Sequence, residues 1–268
     1  MHIVTLSDHP GAMLADAVSS RHRGTAGQEA ALNEALRSRD QALAERRWLT
    51  WLRLTLAVWR GKRELATQRL FSGHSTGREE SIRAGHDAEQ QVAQKLGRAL
   101  NGDWVLFCGY RNRRGEIDGL LLGPGGLFAY EVKYHNATMY ISGDDWQSEK
   151  FDKYGNLVSG RTPMRDKGGR SPSVQLNEPA VALTDWLRKR GQQVAITPVV
   201  LLTHERARVA SIRNPTVQVE TSVQGLLRLA GQSPATLSAR QRAEIGQIIR
   251  DDHHHHEQRR PTSRPGRR

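Results

Sequence analysis

Apolar positions along the chain change period several times, and each change marks an element. Gln28 to Phe71 has no proline and one glycine. Within it Leu49, Leu52, Leu56, Trp59, Ala66 and Leu70 recur at helical spacing, interrupted only by Arg63, which predicts helix. Ile82–Leu100 reads as a second amphipathic helix, with Val92 and Leu96 on one face. Three short apolar runs then predict strands at about 104–110, 116–122 and 127–134. A less regular β segment, about 138–158, is rich in Gly, Asp and Trp. Arg161–Arg170 reads as a basic, glycine-containing loop. Ser171-Pro172 opens a helix, because Ser suits the N-cap and Pro the first helical position. The apolar face of that helix is Leu176, Ala180, Leu183 and Leu187. Val194–Leu202 is strand-like and broken by Pro198, and a short strand near Val217–Val219 precedes two helices. The last of these begins with Ser238 and Gln241 at capping-box spacing.

The stretch Gly115–Lys133 is the most informative. Pro124, Gly125 and Gly126 make a tight connection, since Pro presets φ and Gly accepts positive φ. The runs Ile117–Leu122 and Leu127–Val132 therefore lie antiparallel. Strand side chains alternate, so Glu131 and Lys133 share one face while Tyr130 and Val132 point the other way. An acid and a lysine in strands this apolar are costly to bury without a partner or a metal.

These elements divide 268 residues into four parts. Residues 1–26 are expected to be disordered, and 27–77 to form a helical accessory region ending in a Gly73–Gly77 linker. The main domain is expected over 78–250. Residues 251–268, with consecutive histidines at His253–His256 and an Arg-Pro tail, cannot build a core and are expected to be disordered. Trp48–Trp59 is too short to span a bilayer and contains Arg53. The accessory helices would pack on the main domain or pair with a second copy, giving a homodimer.

Charge narrows the partner. Forty Lys+Arg against 28 Asp+Glu leave +12, which suits nucleic acid or another polyanion. A single cysteine, Cys108, excludes a disulfide framework and a Cys-based zinc site, and fits a reducing, cytoplasmic compartment. Met1–Ser20 lacks a basic segment followed by an apolar one, so no signal peptide is expected.

Two carboxylates on neighbouring strands, Asp118 and Glu131, can bind a hard divalent ion such as Mg²⁺ or Mn²⁺. Magnesium uses one or two carboxylates and keeps several waters. Lys133 could orient a water or stabilise charge on phosphate. The ordered set Gly85-x-x-Ala88-Glu89, Gly115-Glu116-Ile117-Asp118, Gly123-Pro124-Gly125-Gly126, Glu131-Val132-Lys133 and Pro172-x-x-Gln175 resembles the NERD (nuclease-related) domain of the PD-(D/E)xK nuclease superfamily. The resemblance covers about 84–203. It implies an α/β fold of the restriction-endonuclease type, a mixed central sheet flanked by helices, with an α-helical N-terminal extension. It implies Asp118 and Glu131 as metal ligands, Lys133 as the catalytic lysine, Glu89 as a helix acid completing the metal site, and Gln175 near the metal or scissile phosphate. Ala88 stands where a second glycine is usual.

Arg111, Arg113 and Arg114 precede Gly115, and Arg161, Arg165, Lys167 and Arg170 precede the Gln175 helix. Both clusters would lie at the mouth of such a site and grip phosphates. The expected function is a divalent-metal-dependent nuclease acting on DNA. The alternatives are a non-catalytic nucleic-acid-binding or sensing module, and an adaptor using its N-terminal helices for protein or membrane contacts.

Overall fold

The structure, a computed structural model, describes residues 1–45, 47, 50, 53–63, 77–152, 154–233 and 237–259. The chain forms two units, Pro10–Ala84 on one side of the division and Met1–His9 with Gly85–Arg268 on the other. The larger unit is α/β, with a main sheet of six strands and a second sheet of four.

The strands of the main sheet are β1 (His2–Thr5), β2 (Val105–Asn112), β3 (Gly115–Gly123), β4 (Gly126–Lys133), β8 (Ile196–Leu202) and β10 (Gln218–Glu220). Their order is β1-β2-β3-β4-β8-β10. β2, β3 and β4 are antiparallel neighbours, whereas β1–β2, β4–β8 and β8–β10 pair in parallel. The sheet is therefore mixed. The β3–β4 hairpin closes at Gly123↔Gly126, and Gly126 has φ 125°, which only glycine adopts easily. At the ladder's other end, a Cβ on Gly119 would collide with the Tyr130 ring that crosses it.

Helices cover both faces of this sheet. The first helix of the chain, α1 (His9–Ala44), follows β1, and α2 (Gly77–Ala99) precedes β2. α2 buries Ala88, Val92 and Leu96 in a core with Leu106, Leu121, Phe128, Tyr130 and Val199. α3 (Pro172–Lys189) buries Leu176, Ala180, Leu183 and Leu187 in the opposite core with Leu120, Leu122, Ala129 and Val200. Alternation along β3 and β4 feeds both cores, which explains why these strands read as continuous apolar runs. α4 (Val223–Gln232) adds Leu226 and Ala230 to the first core, and α5 (Ala239–Gln258) adds Ile245 and Ile249 to the second. The capping box read at Ser238 and Gln241 is present.

Several expectations need correction. Residues 1–26 are not disordered: β1 pairs with β2 at Ile3↔Leu106 and Val4↔Phe107, and α1 begins at His9. The parallel partner lies about a hundred residues on, beyond the reach of local pattern. Residues 251–258 are the end of α5 rather than a loose tail. Asp252 and His253 are buried there because Tyr110 donates its hydroxyl to Asp252 and the Arg111 N–H donates to His253 Nδ1 at 3.1 Å. Residues 260–268 lie outside the described residues.

The segment at 138–158 is built from three strands, β5 (Ala137–Ser142), β6 (Asp145–Phe151) and β7 (Leu157–Pro163). With β9 (Arg208–Arg213) they form the second sheet, in the order β7-β6-β5-β9. Arg161, read as a loop residue, is on β7.

In the smaller unit, residues 53–63 are helical. Ala42 and Val58 are buried, whereas Leu56 and Trp59 of the expected stripe are 53% and 56% exposed. The Arg63 guanidinium lies 4.9 Å from the Trp59 ring centroid. Leu49, Trp51, Leu52, Ala66, Leu70 and the expected linker at 73–76 lie outside the described residues. Among the described residues, no helix is long and apolar enough to cross a membrane.

Candidate active site

The site forms where the β3–β4 ladder opens. Paired residues run from Gly123↔Gly126 to Gly119↔Tyr130 and stop there. Beyond that rung, the Val132 N–H donates to Asp118 Oδ2 at 2.7 Å rather than to a carbonyl of β3. The carboxylate thereby satisfies a strand N–H and is fixed beside Glu131.

Glu131 and Lys133 share a face, as alternation requires. Lys133 Nζ donates to Glu131 Oε1 at 2.7 Å and to Gln175 Oε1 at 3.0 Å. Gln175 is held at both ends of its amide, since Nε2 donates to the Arg170 carbonyl at 3.1 Å. Its backbone lies in the first turn of α3, which Ser171 caps by accepting from the Val174 N–H and Pro172 begins. Local capping chemistry thus delivers Gln175 to Lys133.

Glu131 is 9% exposed, and the field around it is strongly acidic. Burial, with the charges of Glu131 and Glu116, pushes Glu89 up to about 8. Burial, then Glu131 and Glu89, raise Asp118 well above the carboxylate range. Burial alone would lower Lys133. The charges of Glu131 and Asp118 and the bond to Glu131 more than offset it, so Lys133 is raised and protonated. Glu89, Asp118, Glu131, Lys133 and Gln175 are therefore brought into one electrostatic site from α2, β3, β4 and α3.

Burial and mutual repulsion oppose ionisation of these carboxylates beside one lysine, and their oxygens are hard donors of the type magnesium takes. Among the described residues, no three His, Cys, Asp or Glu side chains close into a metal-holding group by themselves. Asp118 and Glu131, on adjoining strands, are the residues that could hold such an ion with water completing its shell.

Residues 84–203 match the model of the NERD family, described as the nuclease-related domain. This segment, rather less than half of the chain, is similar to that nuclease-related domain. No curated protein and no solved structure matches the chain. All five residues of the candidate site lie inside the matched segment.

The basic residues flanking the candidate site are unequal. Arg111 pairs with Glu116 at 2.6 Å. Arg161 lies 3.8 Å from Glu149 and stacks over Tyr140, and Arg165 pairs with Asp145 at 3.0 Å. Arg170 bonds Asp166 at 2.8 Å and Glu178 at 3.3 Å. Arg113, Arg114 and Lys167 are exposed on turns. Sequence reading missed Asp166, whose carboxylate accepts from the Gly168 and Arg170 N–H groups and shapes the loop before α3. Asp followed two residues later by Gly-Gly is the signal that could have revealed it.

Proposed function

We propose that this chain hydrolyses phosphodiester bonds in nucleic acid, DNA above all, with a divalent ion held by Asp118 and Glu131. The observation that supports this reading is the convergence of Glu89, Asp118 and Glu131 around a protonated Lys133 inside the NERD segment.

When bound, magnesium or manganese makes a water nucleophilic at neutral pH and offsets charge on the phosphate. Asp118 and Glu131 supply the anionic oxygens. Lys133, oriented by Gln175, presents a fixed positive charge where a phosphate would gain negative charge. Glu89, on α2, completes the acidic set beside Asp118 and Glu131. The surplus of basic residues draws the polyanion in.

The test is cleavage of supercoiled, linear and single-stranded DNA with magnesium or manganese. The expected result is metal-dependent cutting that EDTA abolishes. Cutting that persists undiminished in excess EDTA would refute the metal. Binding without any cutting would favour the non-catalytic module.

A further inference from the structure

Beside the carboxylates, a cavity of about 240 Å³ opens between the end of β4, the second sheet and the first turn of α3. Lys133 and Gln175 form the wall it shares with the candidate active site. The remaining polar wall includes His135 from the β4–β5 connection, Lys150 from β6 and Arg165 just after β7. None of these three belongs to the carboxylate site. Lys133, Lys150 and Arg165 thus bring three cationic side chains around one hollow, with the His135 ring beside them.

Asp166, an acid in the wall, does not cancel them. Its Oδ1 accepts from the N–H groups of Gly168 and Arg170, both at 2.8 Å, and its Oδ2 takes the Arg170 guanidinium at 3.0 and 2.8 Å. Arg165 has Asp145 as its partner at 3.0 Å, but the pair is solvent-exposed, and such pairs exchange at little cost. Among the described residues no carboxylate forms an ion pair with Lys150, which is exposed. Pro172 at the start of α3 also lines the cavity, so the positive end of that helix faces it. The hollow has room for a tetrahedral anion with its waters.

We propose that this cavity is a phosphate subsite, taking a non-reacting phosphate of the same nucleic-acid strand whose scissile phosphate meets the carboxylates. This rests on the nuclease reading above. Lys133 borders both compartments, so one strand passing it would place successive phosphates in each. Arg165 and Lys150 supply the charge, and the planar guanidinium fits two phosphate oxygens at once. His135 is the built-in reporter. Desolvation of its ring, with the charges of Lys133 and Lys150 and the nearby His204, pushes it down to about 4, and an anion in the cavity would raise it.

The test uses the full chain without divalent metal. Inorganic phosphate is titrated in near neutral pH while the His135 ring resonances, assigned through His135→Gln, are followed by NMR. The expected result is a saturable shift with a raised His135 pKa. Lys150→Ala with Arg165→Ala should weaken it about tenfold or more, the equivalent of one charge-assisted bond, with an unchanged melting temperature. A short single-stranded DNA should compete with the phosphate. No saturable shift, or equal binding by the double variant, overturns the subsite. Phosphate that the DNA fails to displace overturns its assignment to nucleic acid. Because no turnover is involved, the two readings fail separately. A chain that binds here and never cuts DNA with magnesium refutes only the nuclease, and one that cuts but binds no phosphate here refutes only the subsite.

Discussion

The backbone N–H of Val132 donates to Asp118 Oδ2 at 2.7 Å, so a carboxylate stands where the next rung of the β3–β4 ladder would be. Asp118 thus has a structural duty besides its proposed chemical one, and two substitutions separate them. Asp118→Asn keeps an oxygen acceptor for Val132, whereas Asp118→Ala leaves that N–H unpaired. Asp118→Ala is expected to melt below Asp118→Asn by the equivalent of about 1–3 kcal/mol. Both should lose metal-dependent cleavage. Denaturant melts and cleavage assays on the pair check this, and equal stabilities would remove the structural role.

Lys133 and Glu131 form a largely buried ion pair. Lys133→Met strands the carboxylate and is expected to cost about 3–5 kcal/mol, most of which the double variant with Glu131→Gln should regain. Cleavage should be absent in both. Regained stability separates the burial cost of the pair from its chemistry, and an active double variant would contradict the roles proposed for Lys133 and Glu131.

Glu89 carries a pH signature. Its folded pKa, about 8, lies above the ordinary 4.5, so the folded state holds the extra proton. Its contribution to stability is present below 4.5 and is lost as pH rises through about 8. Glu89→Gln should therefore raise the melting temperature of the metal-free chain at pH above 8, by the equivalent of a few kcal/mol, and leave it unchanged in acid. Thermal melts across pH measure the difference, and a constant offset at every pH would argue against it.

The basic residues should divide by their partners. Arg113→Ala and Arg114→Ala are expected to leave the fold intact and flatten the salt dependence of DNA binding, by about 0.9 in log–log slope for each phosphate no longer neutralised. Arg170→Ala, which breaks bonds to Asp166 and Glu178, should instead lower the melting temperature and loosen the loop before Gln175. Salt-series titrations with calcium in place of magnesium, beside melts, distinguish the two kinds of arginine.

What could be read from the sequence follows a physical divide. The β3–β4 hairpin, the N-cap before Gln175 and the Ser238 capping box depend on residues close in sequence, and each is legible as a local pattern. So is the shared face of Glu131 and Lys133, because alternation fixes it. β1 is not, since four residues gain strand structure only from a partner about a hundred positions away. The histidine run misleads for a similar reason. Its composition resembles a loose tail, yet Asp252 and His253 are anchored by Tyr110 and the Arg111 backbone. The ion pairs of Arg111, Arg161 and Arg170 are equally hidden, because a net charge does not reveal which cations are already engaged.

The distant pairing of β1 bears on how this chain could vary. Ile3 meets Leu106, so the β1–β2 pairing closes a span of about a hundred residues of sequence. The entropy of closing such a span grows only with the logarithm of its length, and doubling it adds about 0.6 kcal/mol. Changes of chain length that leave α2 whole would therefore add little to the cost of closing β1 onto β2. At about 5–20 residues per second, ribosomal synthesis also leaves β1 waiting roughly 5–20 s for its neighbour. β1 is thus an open edge until β2 is made, and its brevity limits the hazard of a wrong partner.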